Sequence, residues 1–369
     1  MERKDILMLK IDYQLVKRTT PVVFPKNLGF GNYFTDHIFE MDYNEQAGWH
    51  NPVIKPLYHM SMHPATMLIH YGQAIFEGLK AFYTGDDKPV IFRPERHFQR
   101  LNNSARRMCI PEVNVDDAVH ALEELIAVEK EWIPRGEGEA LYIRPFVFGV
   151  DPVLGVKPSG NYKFIIMLSP VGAYYPEGFK PVKILIQDDF VRAVRKGLGE
   201  CKTPANYASS LLGAELAKKA GFTQVLWLDA VELKYIEEVG TMNIFVRLKD
   251  EIVTPQLTGG ILPGVTRASV IDILKEWNMN VVERRLSLDE LFEEYKKGNV
   301  LEVFGTGTAA IITVVGMLKY KDNTLTINNG ESGELALKLF DYITKLQRAG
   351  VEDTHKWLHY VPVKEEVLV

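Results

Sequence analysis

Residues 197–210 read Gly-Leu-Gly-Glu-Cys-Lys-Thr-Pro-Ala-Asn-Tyr-Ala-Ser-Ser, with a single basic residue, Lys202, at their centre. Small residues and a proline make a poor helix interior or strand but a good constricted loop, and a helix is expected beyond it with Leu211, Leu212 and Leu216 on its apolar side. An amine held in a loop that turns inward loses hydration, which lowers its pKa and frees its lone pair for attack on a carbonyl. That is Schiff-base chemistry. Most lysines are solvated surface groups, so the neighbouring segments decide what Lys202 is for.

Downstream, 223–229 and 244–248 read as buried strands, and the stretch between them carries Tyr-Ile-Glu-Glu-Val-Gly-Thr-Met-Asn at 235–243, which sets a carboxylate between apolar strands. Further segments stand out along the chain: FGNYFTDH at 30–37, HYGQAIFEGLKA at 70–81, residues 92–108, and LYIRP at 141–145. CKTPANYASS at 201–210, EVGTMN at 238–243, LPGVTR at 262–267 and GTGTA at 305–309 complete the set. With these eight in order, the sequence resembles the branched-chain amino-acid aminotransferases, which are fold-type IV pyridoxal-phosphate enzymes.

The resemblance implies a two-domain α+β or α/β fold like that of D-amino-acid aminotransferase. Its small N-terminal α/β domain spans 1–170, an interdomain loop 171–181, and a larger C-terminal pseudo-barrel domain that binds the cofactor 182–369. It also implies roles for individual residues. Lys202 forms the imine with pyridoxal 5′-phosphate, Tyr207 hydrogen-bonds the ring hydroxyl, Glu238 binds the pyridine nitrogen and Arg192 buttresses that carboxylate. Arg100, Val265 and Thr266 hold the phosphate, with Thr241 and Thr308 also on the cofactor. Phe30, Phe76, Tyr142, Arg144 and Tyr174 line the substrate pocket, and the N-H groups of Thr308 and Ala309 receive a carboxylate. Tyr71, Leu154 and Val156 reach the pocket of the neighbouring subunit, so the resemblance implies a homodimer with shared sites. The activity implied is reversible, ping-pong transfer of the amino group between leucine, isoleucine or valine and 2-oxoglutarate.

The residues themselves leave plainer readings open. Residues 94–108 place Phe98, Leu101, Ala105 and Met108 at helical spacing, and the arginines around them form a solvated face, Arg100 excepted. Arg144 lies inside an otherwise apolar strand over 140–148 and needs an anion or a hydrogen-bonding partner, for which a structural ion pair would serve. Residues 115–133 read as an amphipathic helix capped by Asn114 and ended by Pro134. Pro263 and Gly264 ahead of a helix leave N-H groups at Val265 and Thr266, a natural phosphate cradle that many helices share without binding anything. Residues 169–181, rich in Gly, Pro and Tyr, mark the domain boundary and a lid. Ser287 opens a short capped helix, and an amphipathic helix over 335–346 is expected to pack on the sheet.

Composition sets the remaining bounds. A chain of 369 residues, 46% hydrophobic, can bury a large core, and a net charge of -5 with no basic stripe gives no electrostatic case for nucleic acid. Two cysteines, Cys109 and Cys201, suit a reducing compartment. No signal-length or membrane-length apolar run appears, so a cytoplasmic location without membrane contact is expected, and no metal is called for. Rivals within the fold type are a D-amino-acid aminotransferase and an aminodeoxychorismate lyase, against which EVGTMN and FGNYFTDH speak. A catalytically silent phosphate-ligand binding protein is the rival of another class.

Overall fold

A computed structural model of the chain describes residues 8–173 and 179–362 and divides into two units, Met1–Tyr174 with Lys345–Val369, and Tyr175–Thr344. The first unit carries strands β1 (Asp12–Tyr13), β2 (His37–Asn44), β3 (Gly48–Pro56), β4 (Ala74–Phe76), β5 (Leu79–Tyr83), β6 (Pro89–Phe92), β7 (Ala140–Gly149) and β8 (Asn161–Val171). Helices α1 (Met67–Tyr71), α2 (Pro94–Arg107) and α3 (Val115–Val128) accompany them. The strands pair in the order β1-β3-β2-β8-β7-β5-β6, with β4 also on β7. Period-two alternation sorts the faces of β7. Leu141, Ile143 and Val147 join one core with Phe98 and Leu101 of α2 and Leu122, Leu125 and Ile126 of α3, while Tyr142 packs in a separate cluster with Phe82 and Val90.

Helix α3 stops at Val128, short of the expected 133, and a 3-10 turn over Lys130–Trp132 follows. At that helix end Glu129 is buried, its carboxylate accepting from the backbone N-H (3.0 Å) and ring Nδ1 (2.5 Å) of His37. Asn114 caps α3 as expected, accepting from Asp117 N-H at 3.0 Å.

The second unit contains β9 (Val182–Gln187), β10 (Gln224–Leu228), β11 (Ile236–Val239), β12 (Met242–Leu248), β13 (Ile252–Thr254), β14 (Val281–Glu283), β15 (Val300–Gly307), β16 (Ile311–Tyr320) and β17 (Asn323–Thr326). Its helices are α4 (Pro204–Lys219), α5 (Val265–Glu276), α6 (Leu288–Lys296) and α7 (Glu334–Gln347), the last running on across the boundary. Pairing runs β11-β10-β9-β16-β15-β12, and β12 pairs again with β11, so six strands close on themselves. Closure removes the sheet edges along this ring, and it gives the pseudo-barrel that the resemblance implies. Phe245 of β12 and Phe304 of β15 stack with centroids 5.4 Å apart, both fully buried. Ser287 caps α6, accepting from Glu290 N-H at 3.1 Å.

Two differences from the sequence reading matter. Helix α4 begins at Pro204, inside the quoted stretch, and its leucines do not form the buried side: Leu211 is 64% and Leu212 54% exposed. The helix instead packs through small residues, since a Cβ at Gly213 would come 2.7 Å from the ring of the buried Trp227, and Ala217 clusters with that tryptophan. The C-terminal residues were expected with the barrel, yet from Lys345 they belong to the first unit. There β18 (Leu358–Tyr360) pairs antiparallel with β6, and Trp357 meets Phe92 edge-on at 5.7 Å.

Candidate active site

In the second unit the quoted loop is pinned before it reaches its lysine. Asn206, in the first turn of α4, donates its side-chain amide to the carbonyls of Leu198 (2.6 Å) and Cys201 (2.8 Å). Gly199 permits a close crossing, because a Cβ there would come 2.3 Å from the carbonyl oxygen of Gly260. Held this way, Lys202 is half-buried, and its Nζ donates to the hydroxyl of Tyr207 at 2.6 Å. The same helix end fixes Arg192, whose backbone carbonyl accepts from Ser209 Oγ at 2.7 Å.

Glu238 sits in β11 itself rather than between strands, buried and fully engaged. Arg192 Nε lies 2.6 Å from its Oε2, while Oε1 accepts from Leu262 N-H (3.1 Å) and from Asn243 Nδ2 (3.3 Å). The remaining Arg192 nitrogen Nη2 donates to the carbonyls of Gly260 (2.6 Å) and Gly199 (3.3 Å). Three donors of this kind, one of them a guanidinium, satisfy a buried carboxylate. Asn243 also donates to Leu262 carbonyl at 2.9 Å and presses on Gly264, where a Cβ would fall 2.0 Å from its Oδ1. Gly264 is the N-cap of α5 with no side chain capping it, so the first-turn N-H groups at Val265 and Thr266 have no acceptor within the helix. Thr241 lies exposed in the turn joining β11 and β12, and Thr308 and Ala309 lie half-buried in the turn after β15.

In the first unit, four expected pocket residues come together. Phe30 meets Tyr142 edge-on at 4.9 Å, and the guanidinium of Arg144 lies over the Phe76 ring at 4.8 Å. Arg144 Nη2 donates to the Tyr142 hydroxyl at 3.1 Å, while its Nε is buried without a hydrogen-bond partner among the described residues. An orphaned guanidinium donor of that kind suits a carboxylate ligand. Arg100 is buried in α2 and paired with Glu77, Nε to Oε1 at 2.7 Å and Nη2 to Oε2 at 2.8 Å. His97 Nδ1 joins Glu77 at 2.8 Å. Burial alone would raise the Glu77 carboxyl, but Arg100, and after it His97, holds it well below the usual carboxylate range. The pair orients Arg100.

Tyr71 and Leu154 also meet, the Tyr71 hydroxyl donating to the Leu154 carbonyl at 2.5 Å, and Val156 follows two residues on. All three are exposed, at 43%, 74% and 86%. Tyr174 lies outside the described residues. Asn206, Ser209 and Asn243, which hold the loop, Arg192 and Glu238, were not singled out from sequence, because their partners are backbone groups and carboxylates brought near only by folding.

The chain matches the class IV amino-transferase family over residues 74–316. It is 52% identical over 347 residues, 94% of this chain and 96% of the other, to branched-chain-amino-acid aminotransferase 2 of Bacillus subtilis. The chain belongs to the class IV aminotransferases, among the branched-chain-amino-acid aminotransferases. A probable branched-chain-amino-acid aminotransferase of Staphylococcus aureus is 51% identical over 91% of this chain and 94% of its own. Among solved structures, the branched-chain amino acid aminotransferase of Escherichia coli superposes with a TM-score of 0.73 at 27% identity, covering 89% of this chain and all (100%) of that one. The T.th. enzyme of the same name, complexed with N-(5′-phosphopyridoxyl)-L-glutamate, gives a TM-score of 0.72 at 27% identity over 89% and 99%. Among the described residues no helix is long and apolar enough to cross a membrane.

The donors fit pyridoxal phosphate. A half-buried amine, a buried carboxylate held by an arginine, and a helix N-terminus that no side chain caps all belong to the second unit, and Asn243 touches both the carboxylate and the residue that opens the helix.

Proposed function

We propose that this chain is a pyridoxal-phosphate-dependent aminotransferase that moves the amino group reversibly between leucine, isoleucine or valine and 2-oxoglutarate, in two ping-pong half-reactions. The carrying observation is the Lys202–Tyr207 contact in the same barrel as the Arg192–Glu238 pair. When bound, pyridoxal phosphate supplies a carbonyl carbon that condenses with amines and a pyridine ring that takes up the electron pair left at Cα. The N-H groups of Val265 and Thr266, with Arg100, hold the phosphate, and Thr308 and Thr241 complete the cofactor contacts. Glu238 holds the proton on the ring nitrogen, and Arg192 keeps Glu238 ionised for that purpose. Tyr207 sets the position of Nζ and serves the ring hydroxyl. The amine of Lys202 takes the Cα proton and returns it, a general base placed by its loop.

Substrate is held by other side chains. Thr308 and Ala309 N-H groups and the Arg144 guanidinium with Tyr142 receive carboxylates, while Phe30 and Phe76 give the apolar walls that aliphatic side chains need. Glutamate must fit the same pocket, and the neighbour's complex with phosphopyridoxyl-glutamate supports a site of this class that takes it. Tyr71, Leu154 and Val156 close the pocket of a second copy, making the working unit a homodimer; their exposure in a single chain supports this. Neither Cys109 nor Cys201 is in a disulfide, which agrees with work in the cytoplasm.

Borohydride reduction followed by peptide mapping tests cofactor and lysine together. The label is expected on Lys202, with transfer from leucine to 2-oxoglutarate in the unreduced sample, and a label elsewhere overturns the reading.

A further inference from the structure

Directly before Glu238 in β11 stands a second carboxylate, Glu237, also buried, for which the activity has no use so far. Neighbours in a strand point to opposite faces, so the two carboxylates occupy different surroundings. Glu237 packs on Gly260, where a Cβ would come 2.6 Å from its Oε1. The carbonyl of that same Gly260 is held by Arg192 Nη2 at 2.6 Å, and Arg192 Nε holds Glu238 at 2.6 Å. Gly260 is thus flanked by Glu237 and by the arginine that serves its neighbour. Glu237 itself accepts no hydrogen bond from the described residues and lines a small cavity with Arg195, Asp229, Gln256, Thr258 and Arg285.

We propose that Glu237 is a positioning residue for the Arg192–Glu238 pair, and that its ionisation draws the field of Arg192 away from Glu238 and strengthens the hold of Glu238 on the proton of the cofactor's ring nitrogen. The inference rests on the assignment of Glu238 to that nitrogen.

The charges facing Glu237 set where it ionises. Burial, and after it the negative charge of Glu238, push its carboxyl up, Arg192 lowers it, Asp229 raises it and Arg195 lowers it, which together bring it to about 7. Arg285 lines the same cavity but is paired with Glu232 at 2.7 Å. Below about pH 7, then, Glu237 is neutral and Glu238 is the one carboxylate charge that faces Arg192 from this strand. Above it a second negative charge stands behind the pair, and a nearby negative charge raises the proton affinity of its neighbours.

The test is a pH titration, from 5.5 to 9, of the visible absorbance of the cofactor-loaded enzyme in wild type, Glu237→Gln and Glu237→Asp. The wild type is expected to show an inflection near pH 7 that Gln abolishes and Asp displaces. Identical profiles in wild type and Gln, or no inflection near 7 in the wild type, overturn the proposal. Should the Gln variant fail to fold, Asp decides, and an unmoved profile counts against the idea. Borohydride labelling of Lys202 in the same samples separates the two levels: absence of label in the wild type removes the cofactor assignment itself, whereas a normal label with an unmoved inflection removes only the role of Glu237.

Discussion

The Nζ of Lys202 and the hydroxyl of Tyr207 are 2.6 Å apart, a contact made by a constricted loop and the first turn of the helix that follows it. Because the hydroxyl fixes the amine, the two residues fail differently. Lys202→Ala removes the base and is expected to lower turnover by about 10⁴-fold or more, near the upper end of what a positioned base contributes. Tyr207→Phe keeps the amine and loses its anchor, costing roughly 10- to 100-fold, on the order of one charge-assisted hydrogen bond. Single-turnover rates with leucine measure both, and a Tyr207→Phe variant as dead as Lys202→Ala would contradict that ranking.

Gly264 is needed for space, not for conformation. Its φ of -65° and ψ of 134° are open to any residue, but a Cβ would fall 2.0 Å from Asn243 Oδ1. Gly264→Ala must push Asn243 off Glu238 and Leu262, which disturbs the carboxylate and the helix N-terminus together. Overpacking of this kind costs about 1–3 kcal/mol, so pyridoxal phosphate is expected to bind the apoprotein roughly 5- to 150-fold more weakly, as read by fluorescence titration. Adding Asn243→Ala relieves the clash, and the double variant should bind better than the sum of the single losses predicts.

Glu77 gives the first unit an acid limit. Its carboxyl lies below the unfolded value of 4.5, so its contribution to stability is complete above that pH and is lost as the pH falls beneath it. Glu77→Ala strands the buried Arg100, and breaking a buried pair costs about 3–5 kcal/mol. Urea denaturation at pH 7 should show that loss in full. The difference between variant and wild type should shrink when the experiment is repeated at pH 3.

Much of this was readable in the sequence, and the exceptions share a cause. Helices α2 and α3 were legible because Phe98, Leu101, Leu122 and Ile126 recur at helical spacing and do pack in one core. Helix α4 misled, because the contact that seats it is made by Gly213 against Trp227, and a glycine carries no hydrophobic signal. Strand β18 is only three residues long and acquires its identity from the ladder on β6. At the site, the family motifs marked Lys202, Tyr207 and Glu238, and the resemblance added Arg192; folding brings Lys202 to Tyr207 and Arg192 to Glu238. Asn206, Ser209 and Asn243 bond to carbonyls and a carboxylate whose positions no local pattern specifies.

The C-terminal return carries a pH limit of its own, on the alkaline side. His359 in β18 lies between two carboxylates of helices in its unit, with Nε2 2.6 Å from Glu123 of α3 and Nδ1 2.9 Å from Glu95 of α2. The hydrogen bonds the ring donates to Glu123, then to Glu95, raise the imidazole from 6.5 to about 9. The charged ring ties the strand to both helices. A base whose folded pKa is raised contributes stability that is full below pH 6.5 and is lost as the pH rises through about 9. Amide exchange of residues 358–360, corrected for the intrinsic rate, should therefore lose protection between pH 7 and 9.5. His359→Gln, which cannot carry the charge, should be less protected at pH 6 and show no such pH dependence; a variant that keeps the wild-type profile would mean that the ladder to β6 alone holds the strand.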